Sequence, residues 1–88
     1  MAEPTWLAGI SLRPNPTDGL AWAVFESTPA SSLEISVLDA TGRAMMCLVS
    51  EHQAAVSLDC SQLLAGIYWV RFSTDAEAGV RKLVVEGK

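Results

Sequence analysis

The chain has 88 residues, 50% of them apolar, with six Lys and Arg against ten Asp and Glu for a net charge of −4. That length holds a single core and leaves no room for a second domain, and the apolar content excludes disorder. The acidic balance argues against nucleic acid, which asks for a basic stripe, and no apolar run reaches the ~18–20 residues that cross a bilayer.

The opening segment MAEPTWLAG lacks the basic n-region and apolar h-region of an export signal. Residues 1–9 read as a linker or artificial extension ahead of a domain spanning 10–88, with any export signal expected elsewhere on a parent protein. Ile10–Arg13 is a short alternation stopped by Pro14. Asn15 precedes Pro16 and is pushed out of the helical region, so PNP is an extended corner. Asp18-Gly19 closes it, with Gly19 available for positive φ. Leu20–Ser27 reads as a second strand, and Thr28–Ser32 as a loop around Pro29.

Leu33–Leu38 alternates, with Leu33, Ile35 and Val37 on one face and Glu34 and Ser36 on the other. Asp39-Ala40-Thr41-Gly42 is a tight turn in which the Asp39 carboxylate accepts backbone N–H groups and Gly42 takes a left-handed conformation. Ala44–Val49 returns, Ser50–Gln53 is a polar loop, and Ala55–Asp59 alternates through Val56 and Leu58. Cys60–Ala65 reads as one helical turn or a bend ended by Gly66. Ile67–Thr74 is the strongest strand, Asp75–Gly79 a turn, and Val80–Glu86 the closing strand.

Turn signals every 8–15 residues and alternating strands between them predict an all-β fold, a small seven-stranded immunoglobulin-like β-sandwich. Arg71 marks the wet face of its strand, which assigns Tyr68, Val70 and Phe72 to the core and Ile67, Trp69 and Arg71 to the outside. Tyr68 then needs a partner for its hydroxyl. Leu83 and Val85 are core by the same reasoning. In Leu20–Phe25, apolar bulk alone favours burying the Trp22 face.

Catalytic chemistry finds no support. The single His, His52, lies in a polar loop where Ser50 and Glu51 are not expected to converge with it. Asp18, Asp39, Asp59 and Asp75 all sit at turns, where Asp satisfies backbone N–H groups; none belongs to a DxDxDG calcium loop, and no phosphate-cradling glycine motif occurs. Neither a catalytic residue, a metal site nor a cofactor is expected. Cys47 and Cys60 do not form a CxxC. They flank a hairpin closely enough to bridge, but two buried thiols acting as small hydrophobes is the preferred reading.

Four segments occur in a telling order: Pro14, Asn15, Pro16 and Gly19; Asp39, Gly42 and Arg43; Leu63, Gly66, Tyr68, Val70 and Arg71; and Lys82, Leu83, Val84 and Val85. Over roughly Ile10 to Glu86 they resemble the C-terminal sorting domain (type A) of cargo proteins of the bacterial type IX secretion system, whose pattern runs PNP-x-x-G, D-x-x-G-[RK], L-x-x-G-x-Y-x-V-[RK] and K-x-[VIL]-[VI]. Aligning the first corner with that pattern turns Ala21, Ala23 and Phe25 inward and Trp22 outward, against apolar bulk. Ala21 and Ala23 stand where the family carries bulkier residues, and Cys60 where an aliphatic or polar one is common.

The resemblance implies a transported label without activity of its own. Its parent cargo lies N-terminal to it and reaches the periplasm through the general export route. An outer-membrane shuttle protein, a translocon and a cysteine-dependent sortase that removes the label are the implied partners, and the cargo ends at the cell surface or outside. Pro14, Asn15, Pro16, Gly19, Asp39, Gly42, Arg43, Gly66 and Tyr68 read as structural. Val70, Arg71, Arg81, Lys82, Leu83, Val84 and Val85 are the expected partner-binding residues, through strand addition to the edge of Val80–Glu86. Trp22 and Trp69 are a possible surface patch, or side chains lying over strand edges. A competing reading is an accessory module in which the two indoles form a sugar-stacking platform; a third is an assembly domain that joins copies edge to edge.

Overall fold

In the computed structural model, which describes residues 9–26, 32–51, 54–74 and 77–86, the chain is all-β. Expectations placed on residues 1–8, 27–31, His52, Gln53, Asp75, Ala76, Gly87 and Lys88 lie outside the described residues. Seven strands form: β1 Ile10–Arg13, β2 Leu20–Phe25, β3 Leu33–Leu38, β4 Ala44–Ser50, β5 Ala55–Asp59, β6 Gly66–Ser73 and β7 Ala78–Val85. They make a three-stranded antiparallel sheet, β1-β2-β5, and a four-stranded one, β4-β3-β6-β7. Between Cys60 and Gly66 the chain makes a bend closed by the Leu63 N–H donating to the Cys60 carbonyl at 3.0 Å, with no helix.

Period-2 alternation sends one side chain of each pair between the sheets. Leu33, Ile35, Val37, Tyr68, Val70, Phe72, Leu83 and Val85 enter from the larger sheet; Ala21, Ala23, Phe25 and Leu58 enter from the smaller. Phe25 and Phe72 meet across the interface edge to face, centroids 6.2 Å apart at 85°, an arrangement worth about 0.5–1.5 kcal/mol beyond burial. On β2 the inward parity falls on Ala21, Ala23 and Phe25, all buried, and Trp22, at 43% exposure, is turned out.

Tyr68 finds its partner four residues back, donating to the Leu64 carbonyl at 2.7 Å. This is the tyrosine corner of immunoglobulin-like sandwiches, a Tyr near the start of a strand tied to the backbone just upstream. One conformational option goes unused and one expectation is corrected. Gly19 is not at positive φ, and a Cβ there would meet nothing within 4 Å. The corner is turned by Thr17, whose hydroxyl accepts from the Gly19 N–H at 3.2 Å and donates to the Leu20 carbonyl at 2.8 Å. Cys47 is exposed while Cys60 is buried, and both are free thiols. The reason is topological: Cys47 falls on the outward parity of an edge strand, whereas Cys60 follows β5 into the core.

Candidate recognition surface

The pairing registers bring the motif segments to one end of the sandwich. Arg13 pairs with Trp22, Leu20 with Asp59, Leu38 with Trp69 and Gly66 with Val85. The β1–β2 corner, the β3–β4 turn, the β5–β6 bend and the end of β7 therefore share a pole. A hollow of about 290 Å³ lies there between Asp39–Thr41 and Leu64–Tyr68. Gly9, Glu26, Ala54 and Glu77 mark the opposite end.

The β3–β4 turn is built by one carboxylate. Asp39 Oδ1 accepts from the Thr41 hydroxyl at 2.6 Å, the Thr41 N–H at 2.9 Å and the Arg43 N–H at 3.0 Å, and Gly42 has φ +89°. The Thr41 hydroxyl, then the Arg43 N–H, hold the Asp39 carboxyl below its ordinary value; Ser61, through hydroxyl and N–H, does the same for Asp59. Because the folded value is the lower one, the unfolded chain binds more protons between the two. Stability from Asp39 is thus present above the unfolded value, ~4, and disappears as pH falls through the folded one. Melting temperature measured against pH is expected to show wild type above Asp39→Asn at neutral pH and the gap closing below about pH 4. Burial, then the neighbouring Asp59 charge, pushes the Cys60 thiol up, which keeps it protonated and inert.

At the same pole the first corner closes over β7. Asn15 Nδ2 donates to the Lys82 carbonyl at 2.9 Å and its Oδ1 accepts from the Val84 N–H at 3.0 Å. Thr17 forms a parallel bridge with Val85: its N–H donates to the Val84 carbonyl at 2.9 Å and its carbonyl accepts from the Glu86 N–H at 2.7 Å. One residue further back, the Arg81 guanidinium donates to the Val80 carbonyl at 3.2 Å. Of the backbone groups that β7 turns away from β6, the carbonyls of Val80, Lys82 and Val84 and the N–H groups of Val84 and Glu86 thus have partners within the domain. Strand addition along Lys82–Glu86, expected from the sequence, requires the corner to leave.

The predicted partner-binding residues divide by parity. Val70, Leu83 and Val85 are 0–4% exposed and belong to the core, so no partner reaches them in the folded domain. Arg81 pairs with Val70 and stands on the core-facing side of an edge strand, half-buried. Arg71, Lys82 and Val84 remain on the outer face. There Ile67 pairs with Val84, Trp69 with Lys82 and Arg71 with Val80, a mixed apolar and cationic surface across β6 and β7. Trp22 does not join it. It lies between Arg13 and Ser57 on the outer face of the other sheet, so the two indoles look in opposite directions and no single patch or sugar platform combines them.

Asn15 and Thr17 carry the non-local contacts. The sequence places Asn15 in a corner without linking it to β7, and its strand pattern does not single out Thr17. The one local signal for Thr17 is a Thr two residues ahead of a Gly, the spacing of a side-chain-closed turn. Among the described residues no three His, Cys, Asp or Glu side chains group as metal ligands, and no helix is long and apolar enough to cross a membrane. A family model described as "Secretion system C-terminal sorting domain" matches residues 11–86. No curated protein matches the chain.

Proposed function

The chain belongs to the secretion system C-terminal sorting domain family, and from that premise we propose that it is an address read by its outer-face chemistry, carrying a cargo joined to its N-terminal side across the outer membrane. A sorting signal of the type IX system marks a secreted protein bound for the cell surface or the medium, and such a family is not an enzyme family. An outer-membrane shuttle protein and the translocon are the readers. A surface sortase then cuts the label away, the chain being its substrate.

What supports this reading is one observation: four motif segments far apart in sequence meet at one pole, beside a β6–β7 face on which Trp69, Arg71 and Lys82 stand together. Paired cations beside apolar area favour selective docking over indiscriminate sticking. The test is a reporter with its own export signal, fused ahead of this domain in a bacterium that has the type IX system. Wild type is expected at the surface or in the medium, and the Trp69→Ala/Lys82→Glu double variant in the periplasm, with the fold of the isolated domain unchanged. Normal delivery of the double variant removes this face as the reader's contact, and periplasmic retention of the wild-type fusion removes the address reading itself.

A further inference from the structure

On the outer face of β6 and β7, Arg71 and Lys82 are diagonal neighbours across the ladder, about 7–8 Å apart at the backbone. Neither side chain makes a hydrogen bond or an ion pair among the described residues. Glu34 stands on the same face of β3 but lies opposite Ser73, and it bonds to neither cation. Asp39 and Asp59 are occupied within their own turns. In a chain of net charge −4, this is a positive spot that its own carboxylates do not neutralise. Around it lie Ile67, Trp69 and Val80, at 47%, 40% and 45% exposure, and the half-buried Val84.

The charges decide what fits this face. An incoming carboxylate set between the two cations relieves their repulsion and accepts a charge-assisted hydrogen bond from each. Trp69, with Lys82 across the ladder and Ile67 and Arg71 beside it along the strand, supplies the apolar anchor; Trp and Arg are among the side chains that dominate binding energy. An anionic bilayer fits poorly. It attracts by about 1 kcal/mol per Lys or Arg, and lipid-binding segments gather about 4–8 of them. Here Arg71 and Lys82 stand on a domain that is otherwise acidic. A fitted protein surface meets only the local pair, because charges beyond about 8 Å are screened. A second copy docked face to face brings the same cations and no carboxylate from these three pairs.

We infer that the occupant of this face is an acidic protein surface. A segment of the reader sets an Asp or Glu carboxylate between Arg71 and Lys82 and lays aliphatic side chains over Ile67, Trp69 and Val84. The inference rests on the reading of this face as the reader's contact, and it names the chemistry of the other side.

The probe is a capped Leu-Glu-Val-Asp-Leu peptide, beside its Gln/Asn counterpart, titrated into the isotope-labelled chain. The Trp69 indole and the amides of Arg71 and Lys82 are expected to shift with the acidic peptide alone, and the response to fade with added salt. Arg71→Glu and Lys82→Glu each weaken binding by about tenfold or more, the worth of one charge-assisted bond. Arg13→Glu makes the same change in net charge on the outer face of the other sheet, and leaves binding unchanged. In the reporter assay Arg71→Glu/Lys82→Glu is held in the periplasm and Arg13→Glu is delivered. An equal response to both peptides, or to neither, overturns the proposal. So does sedimentation of the chain with phosphatidylglycerol vesicles (a membrane occupant), or a dimer that Arg71→Glu dissolves (a second copy). If Arg71→Glu/Lys82→Glu is delivered while Trp69→Ala/Lys82→Glu is retained, the face is read by its apolar area and the acidic occupant alone falls. A wild-type fusion held in the periplasm strikes the address reading instead.

Discussion

Ending the chain after Arg81 is expected to abolish the cooperative unfolding transition of the domain. Lys82–Val85 supplies half of the β7 ladder on β6 and the side chains of Leu83 and Val85, buried to 0% and 4% exposure. Removing each such aliphatic side chain from the core forfeits about 1.5–3 kcal/mol. The same cut leaves Asn15 and Thr17 without Lys82, Val84 and Glu86. A domain this small sits near the lower end of the ~5–15 kcal/mol range of native stabilities, so these losses consume most of what it has. Circular dichroism against temperature measures this: the truncated chain should show no sigmoidal melt, while Lys82→Glu should melt within about 0.5 kcal/mol of wild type, as exposed substitutions do. The comparison bears on function. A truncated label that leaves cargo in the periplasm reports lost folding, whereas a surface variant that does so reports lost contact. Cooperative melting of the truncated chain near the wild-type temperature would overturn this account.

Local pattern carried the strands. Leu33–Leu38 and Ile67–Phe72 alternate cleanly and their inward residues are buried, with Ser36 buried on the outer face as well, beside Cys47 of the neighbouring strand. The ends of strands were less legible. β7 begins at Ala78, before the Val80 that pattern suggests, because pairing of Ala78 with Ser73 and Gly79 with Phe72 extends the ladder over residues with no strand signature of their own. Pattern misled on β2, where bulk favours the Trp22 face and only likeness to a family turns it outward; Phe25 on the same parity as Ala21 and Ala23 meets Phe72 across the core, a contact between residues some 50 positions apart that local pattern does not show. Cys47 and Cys60 looked alike, and their opposite fates follow from which strand became an edge. The contacts that define the candidate site were the least readable. Asn15 meets Lys82 and Val84 across 67 and 69 positions, and neither partner uses a side chain there, so no residue type at 82 or 84 could signal the contact.

Thr17→Val is expected to destabilise the domain by about 1–3 kcal/mol, the usual cost of leaving buried polar groups unpaired, and to do so more than Asn15→Ala. Thr17 is wholly buried, and its hydroxyl serves the Leu20 carbonyl and the Gly19 N–H at once. Val keeps the shape and removes both bonds. Asn15 is exposed, so water takes over much of what its amide gives to the Lys82 carbonyl and the Val84 N–H. Amide hydrogen exchange separates the two. Asn15→Ala should speed exchange at Val84 selectively, because its N–H loses the Oδ1 acceptor. Thr17→Val should speed it at Glu86 and Cys60, whose N–H groups donate to the Thr17 and Gly19 carbonyls of the same corner. If Thr17→Val melts within about 0.5 kcal/mol of wild type, the hydroxyl is not what holds the corner. If the loss appears as predicted, the corner is the element that keeps β7 closed to other strands, and loosening it should raise strand pairing at β7 while leaving the β4 edge unchanged.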